Sequence, residues 1–136
     1  MEELLDNDLN ALNGNAPVIT KDKGIFNFTH LTQDELAAKV ENFLKTKGYK
    51  LEEGAANNGK YGKGSRVLRI LFGAFVKRFA WKITVDPNGQ LTQLIIGKEA
   101  KGYVGGAIGV HQVNKEFKSI VGSLTQFHVN QESEKR

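Results

Sequence analysis

Two glycine-rich runs and three histidines are the places where this sequence could hold chemistry. The first run, Gly59-Lys-Tyr-Gly62-Lys63-Gly64-Ser65, offers backbone N–H groups and lysines of the kind that cradle phosphate. A Walker A loop, however, ends in Gly-Lys-Ser/Thr, whereas here the order is Lys-Gly-Ser, and the glycine spacing of a dinucleotide-binding turn is missing as well. Gly62 and Gly64 therefore read as bends in a strand rather than as a nucleotide loop.

The second run, Gly102-Tyr-Val-Gly105-Gly106-Ala-Ile-Gly109, precedes a helical pattern. Free N–H groups at a helix N-terminus attract anions. Gly105 and Gly106, with Lys101 nearby, are thus a candidate anion loop for a phosphorylated small molecule. Tyr103, Val104 and Ile108 equally suit a segment packed closely against a sheet.

His30, His111 and His128 show no ligand spacing, and there are no cysteines. A zinc site needs three or four converging ligands, so neither a metal nor a cofactor is expected. The lack of cysteine also removes disulfides and thiol catalysis and suits a reducing compartment. No acid sits in an apolar setting that would raise its pKa towards general-acid work. Asp86 is a turn residue, and Glu99 and Glu116 lie among lysines. The expectation is a protein that binds rather than catalyses.

Charge gives the stronger lead. The 136 residues carry a net +4, but residues 1–36 hold seven acids against two lysines. Between Glu53 and Asp86 there is no acid, while Lys60, Lys63, Arg66, Arg69, Lys77, Arg78 and Lys82 are all basic. Such asymmetry speaks to partners and steering. Three anionic partners fit it: an acidic protein segment, a nucleic acid or an anionic membrane surface. The N-terminus has no basic-then-apolar leader pattern. The longest apolar run, Ile70 to Val76, is far shorter than the roughly 20 residues of a membrane-spanning helix. A cytoplasmic location is the expectation.

The elements that position these residues are partly legible. Thr32-Gln-Asp-Glu35 is a capping box, and Leu36, Ala37, Val40, Phe43 and Leu44 form one apolar stripe ending at Gly48. The spacing predicts a helix over 33–47. Val113, Phe117, Ile120, Val121 and Leu124 predict a second helix over 110–127. Residues 49–55 and 60–72 read as strands, although 67–74 also fits a helical stripe. Phe79, Trp81, Ile83 and Val85 alternate with Arg78, Ala80, Lys82 and Thr84, which is the pattern of a half-buried strand.

Asp86-Pro-Asn-Gly89 then predicts a three-residue hairpin loop. Counting outwards pairs Val85 with Leu91, Trp81 with Ile95 and Arg78 with Lys98. That register puts Leu91 and Ile95 on the core side. The open face then carries Arg78, Lys82 and Lys98 around Ala80, Leu94 and Ile96.

The expected fold is an α+β two-layer sandwich. An antiparallel meander of three to four strands is flanked by an N-terminal and a C-terminal helix, both on one face. Residues 1–22 are expected as an acidic, flexible tail in which Leu4, Leu5, Leu9 and Leu12 line one side of a short helix. Residues 23–128 form one domain, and 129–136 a second tail. The expected function is a non-catalytic binding module using the open, basic-rimmed face, with Lys60, Lys63, Arg66 and Arg69 extending its positive field. The alternative is a homo-oligomer, such as a homodimer, built through the same face.

Overall fold

The computed structural model describes residues 15–64, 79–98 and 110–134. In chain order these form β1 (Val18–Ile19), β2 (Lys23–Phe28), α1 (Gln33–Thr46), β3 (Lys50–Ala55), β4 (Asn58–Lys63), β5 (Phe79–Asn88), β6 (Leu91–Lys98) and α2 (Val110–Ser133). The sheet has six strands in the order β1-β2-β6-β5-β4-β3. All five pairings are antiparallel.

The expected three- to four-stranded meander is therefore corrected to a six-stranded sheet. The additions come from the region before α1. Gly24, Phe26 and Phe28 are buried while Lys23, Ile25 and Asn27 point the other way. β2 pairs along its whole length with β6, from Lys23–Gly97 to Phe28–Thr92. A six-residue alternation is a weak local signal, and its partner lies about seventy residues away, where no local pattern announces it.

The hairpin register is corrected too. β5 runs on through Pro87 to Asn88, and the loop is Gly89-Gln90, so that Asn88 pairs with Leu91, Val85 with Leu94, Ile83 with Ile96 and Trp81 with Lys98. Gly89 takes a φ of +65°, a left-handed value natural to a two-residue hairpin turn. Pro87 fits inside the strand because its missing N–H would face away from β6. Val85, two residues back and of the same parity, donates its N–H to the Asn57 carbonyl. No β5–β6 bond is lost. The shift from the expected register is three residues, and an odd shift turns every β6 side chain to the opposite face. Leu94 and Ile96 consequently lie in the core with no exposed surface, and are removed from the open face.

α1 follows its local signals. The Thr32 hydroxyl accepts from the Glu35 N–H, and Glu35 accepts from the Thr32 N–H. At the other end the Tyr49 N–H bonds the Leu44 carbonyl at 2.9 Å and the Gly48 N–H bonds the Lys45 carbonyl at 3.0 Å, with Gly48 at φ +90°. That is a Schellman ending. α2 extends to Ser133, six residues beyond its expected end, because Val129 and Glu132 are also buried.

Both helices cover the same sheet face. Leu36, Val40 and Leu44 of α1 share one cluster with Val113, Phe117 and Leu124 of α2 and with Phe26, Tyr61, Trp81, Ile83, Val85, Leu94 and Ile96 of the sheet. Those strand residues lie on one side by register. The opposite side of the sheet has no helix over it among the described residues.

Candidate anion-binding sheet face

Pairing assigns the uncovered face row by row. One row runs across five strands: Lys23 beside Gly97, Gly97 beside Lys82, Lys82 beside Lys60, and Lys60 beside Glu53. Lys23 and Lys82 are exposed. Lys60 is more constrained: its side chain is 12% exposed and its Nζ lies 3.3 Å from Glu53 Oε2. Between the two exposed lysines stands a residue without a side chain. A Cβ placed on Gly97 would meet nothing nearer than the Asp22 carbonyl oxygen, at 3.8 Å. With neighbouring strands about 4.8 Å apart, the Lys23 and Lys82 backbones are roughly 10 Å apart. The result is a shallow notch walled by two ammonium-bearing side chains.

The adjacent row is aliphatic. Val18 pairs with Ile25, Ile25 with Ile95, and Ile95 with Thr84. Ile25, Ile95 and Thr84 are half-buried and Val18 is 57% exposed. The next row is amide-rich, with Gln93 and Asn88 both donating to Asn27 Oδ1. In the other direction the basic row gives way to Ala80 and Gly62, both buried. There the Glu52 carboxylate lies over Gly62, so that a Cβ on Gly62 would fall 2.2 Å from Glu52 Oε2.

Of the sequence-derived site residues, Lys60 and Lys82 are on this face. Ala80 faces the same way but is buried, so it offers no contact surface. Lys63 and Lys98 are on the helix-bearing face, where α2 engages both. Lys63 Nζ sits 3.6 Å from Glu116 and over the Tyr49 ring. Lys98 Nζ donates to Asn114 Oδ1, pairs with Asp22 at 3.4 Å and lies over the Phe117 ring. Arg66, Arg69, Arg78, Lys101, Gly105 and Gly106 lie outside the described residues, as does the question of strand or helix over 67–74.

Sequence reasoning missed Lys23, Ile25, Gly97 and Ile95 as surface partners of Lys82. The available signal was the Lys23-x-Ile25-x-Asn27 alternation against Gly24, Phe26 and Phe28.

The titratable groups with shifted pKa values are structural. His128 is buried between Phe26 and Phe28, and its Nε2–H donates to the Asn27 carbonyl at 2.6 Å. Burial lowers its pKa below 6.5, against opposing effects of that bond and of Glu132. Burial, aided by Glu41, pushes the Tyr61 phenol up to about 12. Both Glu132 oxygens accept from Thr29, one from the N–H and one from the hydroxyl. Among the described residues no three His, Cys, Asp or Glu side chains converge as a metal site.

No protein-family model matches this chain, and a search of curated proteins finds no match.

Proposed function

We propose that this chain is a non-catalytic binding module that docks an anionic membrane surface against the uncovered face of its sheet. The observation that carries the reading is the notch over Gly97, flanked by the exposed Lys23 and Lys82 and bordered by the Val18–Ile25–Ile95 strip. Lysines near an anionic bilayer contribute about 1 kcal/mol each, and aliphatic side chains add favourable burial at the headgroup boundary. In sequence the β4–β5 connection contributes Arg66, Arg69, Lys77 and Arg78 and no acid.

A lipid surface is favoured over single-stranded nucleic acid because the described residues of this face include no exposed aromatic side chain on which bases could stack. Single-strand binders interleave aromatics with their cations, whereas Tyr61 and Trp81 are fully buried on the opposite side.

The test is sedimentation with vesicles of phosphatidylcholine alone and of phosphatidylcholine with phosphatidylserine, at low and at moderate salt. Binding to the anionic vesicles that weakens with salt is expected. Equal binding to both compositions, or to neither, overturns the reading. Preference for an oligonucleotide or an acidic polypeptide over the anionic vesicles assigns the notch to that partner instead.

A further inference from the structure

A half-open groove of about 840 Å3 lies between residues 16–21 and one face of α2. Ile19 pairs with the buried Gly24, so the groove belongs to the helix-bearing side of the sheet, opposite the lysine notch. Small-molecule sites occupy roughly 300–1,000 Å3, and the groove is of that size.

α2 lines it with Asn114, Phe117, Lys118, Val121, Gly122 and Thr125. These recur at three and four residues, the spacing of one helical face. The stripe is roughly 16 Å long at the helical rise.

The groove has a cationic end and an apolar end. Residues 16–21 run antiparallel to α2, because hydrogen bonds and an ion pair fix both ends. At one end the Asn15 amide donates to the Asn27 carbonyl, which also receives His128, one turn past Thr125. At the other, Lys98 Nζ bridges the Asp22 carboxylate and Asn114 Oδ1. Lys21 therefore lies towards Asn114 and Lys118, and Pro17 towards Val121 and Thr125.

Lys21 and Lys118 are exposed and form no ion pair among the described residues. Asn114 gives its oxygen to Lys98, which leaves its side-chain N–H groups as donors. At the opposite end the Thr125 hydroxyl is turned back to the Val121 carbonyl, at 2.9 Å, and asks for no other partner. Gly122 weakens the middle of the helix but leaves its backbone bare on this side. Ile19, 48% exposed, is apolar surface that an occupant would cover.

We infer that this groove binds a single-chain amphiphile with a carboxylate head, of the fatty-acid class. The head sits between Lys21 and Lys118, where charge-assisted hydrogen bonds orient it, and accepts from the Asn114 amide. The chain runs from there past Phe117 and Val121 towards Thr125, and affinity comes from burying its methylenes. The site shares no residue with the notch formed by Lys23, Gly97 and Lys82, and it does not depend on the proposed membrane docking.

The experiment titrates the full, isotope-labelled chain with sodium laurate below its micelle concentration and follows amide NMR signals. Saturable shifts concentrated at Ile19, Lys21, Phe117, Lys118, Val121 and Thr125 are the expected result. Decanoate, two methylenes shorter, should bind about ten-fold more weakly. Lys21→Gln combined with Lys118→Gln should weaken laurate binding about ten-fold and leave binding of the uncharged 1-decanol unchanged. Both positions are exposed, and the sheet and helix signals report that the variant is intact. Shifts centred on Lys82 and Ile95, or a double variant that binds laurate as the parent does, overturn the inference. Equal affinity for laurate and decanoate overturns it too. Groove shifts that follow protein concentration rather than laurate assign the groove to a second copy of the chain instead.

Discussion

Lys23 and Lys82 stand on either side of Gly97 in one cross-strand row, with only hydrogen between their side chains. Either lysine alone on a β-sheet is ordinary surface decoration. Together, over an open glycine and beside Ile25 and Ile95, they make a concave positive spot on a face that neither helix covers.

The notch has a steric test that leaves charge untouched. Gly97 does not have a left-handed φ, and the space above it is open. Gly97→Val is therefore expected to fold as well as the parent, since a β-branched residue suits a strand and glycine weakens one. Filling the notch should weaken binding to anionic vesicles about five-fold, equivalent to about 1 kcal/mol. Thermal melting and vesicle sedimentation on the same samples check both halves.

Glu132 tests how the end of α2 is fixed. It lies in the last turn, where a negative charge opposes the helix dipole, yet it is only 2% exposed. Its hydrogen bonds to the Thr29 N–H and hydroxyl, at 3.0 and 2.9 Å, offset that placement. Glu132→Ala should destabilise the fold by about 1–3 kcal/mol, because it leaves a part-buried N–H without its acceptor. Glu132→Gln, which keeps one acceptor, should fall between. Urea denaturation midpoints distinguish the three proteins.

His128 predicts a pH dependence with a definite sign. A neutral ring donates from Nε2 to Asn27, while Nδ1 is buried without a hydrogen-bond partner. Protonation would place a second N–H at that position. Because the folded-state pKa is lowered from 6.5, the unfolded chain binds the proton more readily. Stability is fully present above about pH 6.5 and falls as pH drops below it, levelling once the folded-state pKa is passed. One such group gives a slope of at most about 1.4 kcal/mol per pH unit. Denaturation at pH 8, 6.5 and 5.5 should show this, and His128→Gln should flatten the curve.

The capping box of α1 gives a smaller, local effect. Thr32→Ala removes the acceptor for the Glu35 N–H and should cost about 1 kcal/mol. Thr32→Ser should restore it, as read by thermal melting.

Local chemistry in this chain was legible, and non-local pairing was not. The α1 cap and its glycine ending follow from a few adjacent residues. The faces of β5 were also plain, since Trp81, Ile83 and Val85 alternate cleanly. What sequence could not decide was the loop that joins β5 to β6. Asp86-Pro-Asn-Gly89 supports either a three-residue or a two-residue turn, and the choice determines whether Leu94 and Ile96 or Leu91 and Ile95 face inwards. Both sets are apolar, so burial alone does not separate them. Pairing with β2 is what makes the answer consistent, because it places Ile96 and Leu94 beside Gly24 and Phe26 on the core side. The same pairing creates the candidate site: Lys23 comes next to Gly97 only through a contact between strands at opposite ends of the sequence. The amphipathic character of the face was anticipated, but its apolar residues and one of its two exposed lysines were not.

The measurement that bears most directly on the proposed function is vesicle sedimentation of Lys23→Gln, Lys82→Gln and the double variant. All three should keep the parent melting temperature, since both side chains are exposed. At about 1 kcal/mol per lysine, each single change should weaken binding to phosphatidylserine vesicles about five-fold and the double change about 25-fold. The double variant should also lose much of the salt dependence. A folded double variant that binds anionic vesicles as tightly as the parent would contradict the assignment of this face.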